Sequence, residues 1–92
     1  MKIQELFDII NQRKAASPES SYTARLFTQG EDEIIKKVGE EAIEVVLAAK
    51  GQGRQRLIEE VADLTYHTLV LLAWAGVTPE DISAELDRRH KK

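Results

Sequence analysis

Ile3, Leu6, Phe7 and Ile10 recur at the three- and four-residue spacing of a single helix face. That helix is predicted to end near Ala16, because Ser17-Pro18 disfavours αR before the proline and supplies turn chemistry. Residues 17–30, SPESSYTARLFTQG, are rich in serine and threonine and read as a loop with at most one helical turn around Ser21 to Phe27. From Glu31 the helical period returns. Ile34, Val38, Ala42, Val45 and Ala49 form a stripe edged by Ile35 and Val46, and the helix stops at Gly51-Gln52-Gly53. A third helix runs from about Arg54 to Ala75; beyond Leu64 its apolar residues, Leu69 to Trp74, point in every direction, so it requires burial on all sides. Thr78-Pro79-Glu80-Asp81 supplies an N-cap, a proline at the first helical position and acids in the first turn of a last helix carrying Ile82 and Leu86. The basic run RRHKK suits its C-terminus.

No strand signature, repeat or low-complexity tract interrupts this pattern. The expected fold is therefore all-α, one domain over residues 1–92, built as a hairpin of two long helices with two shorter helices packed on it. Two short helices cannot enclose the third helix, so a homodimer that buries it in a shared helical bundle is expected. A 92-residue domain buries only a little over half of its unfolded surface, which makes help from a partner subunit plausible on stability grounds too.

Composition narrows the chemistry. The absence of cysteine removes disulfides, thiolate zinc sites and thiol nucleophiles, leaving oxygen and histidine as the only metal donors. A net charge of −3 with mixed signs, and no basic stripe interleaved with aromatics, gives no nucleic-acid footprint. The acidic, amphipathic start MKIQELFDII lacks the form of a secretory signal, and the uncharged stretch between Asp63 and Glu80 is shorter than the roughly 20 apolar residues of a membrane span. A cytoplasmic location is the expectation.

The acids are arranged. Glu40, Glu41 and Glu44 share an arc of roughly 100° on the second helix, and Glu60 and Asp63 are i, i+3 neighbours on the third. In a hairpin turning at Gln52, Glu44 and Glu60 lie eight residues from the turn and Glu41 and Asp63 eleven, giving two level tiers roughly 4–5 Å apart along the axis. That spacing suits one or two hard cations such as Mg²⁺. The competing account is a solvated acidic face, which works well for the second helix, where the stripe lies opposite the glutamates and Lys36 and Lys37 stand i, i+4 from Glu40 and Glu41. It works poorly for Glu60 and Asp63, whose face continues through His67, Val70, Leu71 and Trp74 and turns apolar. Partly buried carboxylates held close need a neutralising cation, which favours a metal site.

Glu40-Glu41-Ala42-Ile43-Glu44, followed after fifteen residues by Glu60-Val61-Ala62-Asp63, resembles the EExxE…ExxD pattern of the MazG-type all-α nucleoside triphosphate pyrophosphohydrolases. The strings SYTARLFTQG, IIKKVGEEAIEVVLAAK and LIEEVADLTYHTLVLL look like the phosphoribosyl-ATP pyrophosphohydrolase branch of histidine biosynthesis, over nearly the whole chain. The resemblance implies Mg²⁺ bound by Glu41, Glu44, Glu60 and Asp63, with Glu40 joining them or orienting the attacking water. It puts Lys36 and Lys37 near the phosphates and part of the substrate pocket at Ser21, Tyr22, Thr23 and Gly30. The implied reaction is in-line attack of water that breaks the α,β bond and releases pyrophosphate, without a covalent enzyme intermediate.

Other residues carry weaker signals. Tyr22 is a candidate for stacking on a base and Arg25 for meeting a phosphate. His67 is level with Lys37 in the hairpin and within reach of a phosphate, but a lone histidine on a helix is more often simply packed; Trp74 reads as core or dimer contact. Two rivals stand beside the main reading: a house-cleaning enzyme of the same fold acting on free NTPs or dNTPs, and a non-catalytic helical dimerisation module whose acids are surface.

Overall fold

A computed structural model describes residues 1–91 and shows an all-α chain of five helices among them: α1 (Ile3–Arg13), α2 (Tyr22–Gln29), α3 (Glu31–Gly51), α4 (Arg54–Ala75) and α5 (Pro79–His90). The hairpin of two long helices is present as α3 and α4, but three shorter helices accompany it, not two. The additional one is α2, in the segment expected to be mostly loop. Its serine and threonine residues are helix chemistry here. The Ser21 side chain caps the helix by accepting the Ala24 N–H at 3.3 Å, the Thr28 hydroxyl donates to the Ala24 carbonyl at 3.1 Å, and the Thr23 hydroxyl meets that of Tyr66. Thr23, Ala24 and Leu26 are buried, so tertiary packing overrides a composition that favours turns. α1 ends three residues before the expected Ala16, and Lys14 beyond it donates to the Ala73 carbonyl at 2.9 Å, tying the connection to the end of α4.

Glycine sets the two corners around α3. Gly30 joins α2 to α3 at φ 98°, ψ −175°, and Gly53 closes the hairpin at φ 91°, ψ 168°, a region that only glycine enters without strain. Thr78 and Asp81 form the predicted cap of α5: the hydroxyl accepts the Asp81 N–H at 3.1 Å and the carboxylate accepts the Thr78 N–H at 2.9 Å. Arg88, Arg89 and His90 of the basic run fall in its last turn, and Lys92 lies outside the described residues.

The core is concentrated at the open end of the hairpin, where Phe7 and Ile10 of α1, Leu26 of α2, Ile34 of α3 and Leu69, Val70 and Ala73 of α4 are buried together. Toward the turn, Ala48 is the one fully buried apolar residue among the described residues. Ile43, Val46, Leu47, Ile58 and Val61 are all exposed, Val46 to 66%, and α5 buries no residue. The helix that was to be enclosed on all sides, α4, is not: Leu69, Val70 and Ala73 are buried, Leu71 and Leu72 only partly, and Trp74 is exposed at its edge, stacked on Phe27 with ring centroids 6.2 Å apart. The radius of gyration, 14.5 Å, exceeds the about 12 Å of a compact domain of this length. No single helix among the described residues is long and apolar enough to cross a membrane.

The seam of α3 also differs from the predicted stripe. Ile34 and Ala48 are buried, Val38, Glu41 and Val45 are partly buried between them, and Ala49 is exposed. These five inward residues follow a four-three-four-three spacing that keeps a helix face turned to one partner. Glu41 therefore stands on the seam and not opposite it, which corrects the expectation that all three glutamates of this helix face away from its apolar residues. At 100° per residue, Glu44 is turned about 80° and Glu40 about 120° off that seam, and both are exposed.

Candidate metal centre and active site

α4 answers the α3 seam with Glu60, Asp63, His67 and Val70, again at three- and four-residue steps. The two helices thus carry a polar layer in the middle of an otherwise apolar contact. Carboxylate oxygens of Glu41, Glu60 and Asp63 all lie within 4.8 Å of one another. Glu60 is buried, at 6% exposure, while the Glu41 side chain is 15% exposed and Asp63 opens to solvent. Burial on one side and access on the other describes a site that an ion can enter. Of the four residues expected to ligate, Glu41, Glu60 and Asp63 come together; Glu44, one turn nearer the hairpin loop, is solvent-exposed and outside the trio.

Cationic side chains border these acids. Arg56 reaches Glu60 at 2.9 Å and Glu59 at 2.7 Å, which gives the buried carboxylate a counter-charge from the exposed side. Arg56 and Gln55 together hold the Glu59 carboxyl below its usual pKa. Lys37 lies 3.5 Å from Glu40 and 3.9 Å from Glu41, spanning the two glutamates. Partial burial works against its charge, but Tyr22, Glu40 and Glu41 outweigh that and raise its pKa above the usual lysine value. Lys36 turns the other way, to Glu33 at 3.7 Å, and its side chain is 60% exposed.

α2 supplies the wall above this layer. The Tyr22 hydroxyl is 3.2 Å from His67 Nε2, and the Tyr22 ring lies 6.2 Å from Tyr66 and 6.0 Å from His67, centroid to centroid. Arg25 sits over the outer face of Tyr22 at 5.7 Å and donates to the Pro18 carbonyl at 3.1 Å. Thr23, expected in the pocket, is buried with its hydroxyl engaged by Tyr66. Tyr66 escaped the sequence reading; burial raises its pKa against the Thr23 hydrogen bond, and its only signal was its place beside His67 on the face of α4 toward α2. Arg56 was missed as well, though it stands one helical turn before Glu60.

The donor set fits a metal ion. It contains only carboxylate oxygens, since both ring nitrogens of the neighbouring His67 are engaged elsewhere, Nδ1 with the Asp63 carbonyl at 2.8 Å and Nε2 with Tyr22. A profile of the phosphoribosyl-ATP pyrophosphohydrolase family matches residues 3–90. The chain belongs to this family. Its match takes in the acidic layer, the α2 wall and all five helices, so the geometry above is that of a phosphoribosyl-ATP pyrophosphohydrolase domain. Relatives named phosphoribosyl-ATP pyrophosphatase are similar over nearly the full chain. The protein of Pelotomaculum thermopropionicum is 56% identical over 98% of this chain and 92% of its own length. That of Geobacter sulfurreducens is 53% identical over 95% and 81%, and that of Saccharolobus solfataricus 48% identical over 97% and 95%.

Proposed function

We propose that this protein hydrolyses phosphoribosyl-ATP to phosphoribosyl-AMP and pyrophosphate, the second step of histidine biosynthesis, as a Mg²⁺-dependent phosphoribosyl-ATP diphosphatase. One observation carries the reading: three carboxylates from two helices converge within 4.8 Å in a chain about half identical, end to end, to proteins named for that activity. Oxygen-only donors with one open side suit Mg²⁺, which keeps several waters and shares its remaining positions with phosphate.

Glu41, Glu60 and Asp63 hold the ion, joined by Glu44 from the next turn of α3. When bound, Mg²⁺ neutralises charge between these carboxylates and the triphosphate and makes the scissile phosphorus more electrophilic. The remaining work belongs to side chains. Glu40, exposed beside Lys37, orients the attacking water and accepts its proton, while Lys37 neutralises the pyrophosphate leaving group and Lys36, paired with Glu33 in this structure, reaches it only by turning from that partner. Tyr22 and Arg25 hold the nucleoside end against α2. Catalysis is positioning and electrostatics, and every protein group is regenerated unchanged.

The protein acts as a cytoplasmic homodimer in this reading. The apolar surface left open by Ile43, Val46, Leu47, Ile58 and Val61 is that of a helix face seeking a second helix face, and the extended shape of the single chain supports it. Sedimentation at micromolar concentration giving only a monomer would remove the dimer.

Product analysis tests the activity. Purified protein with Mg²⁺ is offered phosphoribosyl-ATP beside a panel of ordinary and modified NTPs. Selective release of pyrophosphate and phosphoribosyl-AMP is expected; preference for a free NTP would move the protein to a house-cleaning role on the same site, and no turnover of any nucleotide would return the acids to a structural surface.

A further inference from the structure

His67 is buried at 7% exposure on α4, one turn beyond Asp63. Its hydrogen bonds determine which tautomer the neutral ring adopts. The Asp63 carbonyl, 2.8 Å from Nδ1, can only accept, so Nδ1 carries the proton and donates. In the neutral ring Nε2 is then an acceptor, and the Tyr22 hydroxyl 3.2 Å away is the donor. A backbone carbonyl on α4 thereby fixes the hydrogen-bond polarity of a side chain on α2. The rings reinforce the arrangement: His67 stands edge-on to Tyr66 at 4.9 Å and to Tyr22 at 6.0 Å, which leaves it little rotational freedom.

We propose that His67 is a positioning residue for substrate recognition, locking Tyr22 onto the turn of α4 that carries Asp63 so that nucleotide and metal-binding carboxylates are held in one register. α2 is short, has a glycine at its end and makes no ion pair to α3 or α4 among the described residues, so the Tyr22–His67 bond and the Thr23–Tyr66 bond are the polar ties that join it to α4. With its proton committed to Nε2, the Tyr22 oxygen has only lone pairs left to offer. It is thus suited to a donor on the substrate, a ribose hydroxyl or an amino group, and unsuited to donating to a phosphate.

This inference rests on the reading that α2 lines the nucleotide pocket, and the test separates the two. Tyr22→Phe deletes only the hydroxyl; His67→Asn keeps a donor near the Asp63 carbonyl but withdraws the acceptor from Tyr22, whereas His67→Gln returns an acceptor at the Nε2 position. For Tyr22→Phe and His67→Asn, KM for phosphoribosyl-ATP is expected to rise roughly three- to tenfold, the scale of one hydrogen bond, with the loss in KM and not in kcat. The double variant should be no worse than either single, and His67→Gln should recover most of the loss. Nitrogen NMR of the His67 ring supplies a readout independent of turnover: the Nδ1-protonated tautomer in the parent protein, with a displaced Nε2 resonance in Tyr22→Phe. A KM unchanged in both single variants, multiplicative effects in the double, or an Nε2-protonated ring would overturn the proposal. An inactive parent protein whose His67 carries the expected tautomer would instead remove the substrate reading and, with it, the recognition role.

Discussion

The two ends of the α3–α4 hairpin are built from similar amounts of apolar sequence and fare differently. At the open end Ile34, Leu69, Val70 and Ala73 are covered by Phe7 and Ile10 of α1 and Leu26 of α2. At the turn end Ile43, Val46, Leu47, Ile58 and Val61 remain in solvent. The acidic layer of Glu41, Glu60 and Asp63 lies between the two, where coverage by the chain's own short helices stops. One end is a folding core and the other an uncovered face, and the cluster of carboxylates that could hold a metal ion sits on their border. A metal centre there can be anchored by the rigid end and still be reached by a charged substrate.

The largest expected effect is on the border itself. Glu60→Gln or Asp63→Asn should lower kcat/KM for phosphoribosyl-ATP by about a thousandfold, since each removes several kcal/mol of charge stabilisation in the transition state; near-parental turnover in both would break the account of the border. Next comes the core. Ile34→Ala, at a position 1% exposed, should destabilise the fold by about 3 kcal/mol in urea or thermal unfolding. Val46→Asp sharpens the contrast at the other end: helix content by circular dichroism should persist while sedimentation shifts toward the monomer, and an unchanged oligomeric state would mean that this face is not an interface. The smallest effect belongs to Ser21→Ala, which removes the cap of α2 and should cost about 1 kcal/mol, visible as faster amide exchange confined to Tyr22–Gln29.

Much of this is legible in the sequence. Gly51-Gln52-Gly53 and Thr78-Pro79 marked α3, α4 and α5 closely, because glycine corners and capping boxes act locally. Counting from Gln52 set Glu41, Glu44, Glu60 and Asp63 level, and three of the four, Glu41, Glu60 and Asp63, do meet, since antiparallel helices of equal rise stay in register. What stayed hidden depended on packing. α2 was masked because Ser21 and Thr28 look like turn residues until Leu26 and Ala24 find a core to enter. Glu41 and Glu44 looked equivalent in sequence, and only the partner helix decides which faces inward. The pairings of Tyr22 with His67 and of Thr23 with Tyr66 join residues more than forty positions apart, beyond any local pattern.

Binding of an ion by Glu41, Glu60 and Asp63 can be measured without substrate. Thermal unfolding of the parent protein and of Glu60→Gln would be followed across a Mg²⁺ titration, with Na⁺ at matched ionic strength as control. A saturable rise in stability of the parent protein is expected, about 2.7 kcal/mol once Mg²⁺ reaches a hundred times its Kd, and it should be lost or strongly weakened in the variant. Equal responses in the two proteins, or none beyond ionic strength in either, would show that these carboxylates hold no ion.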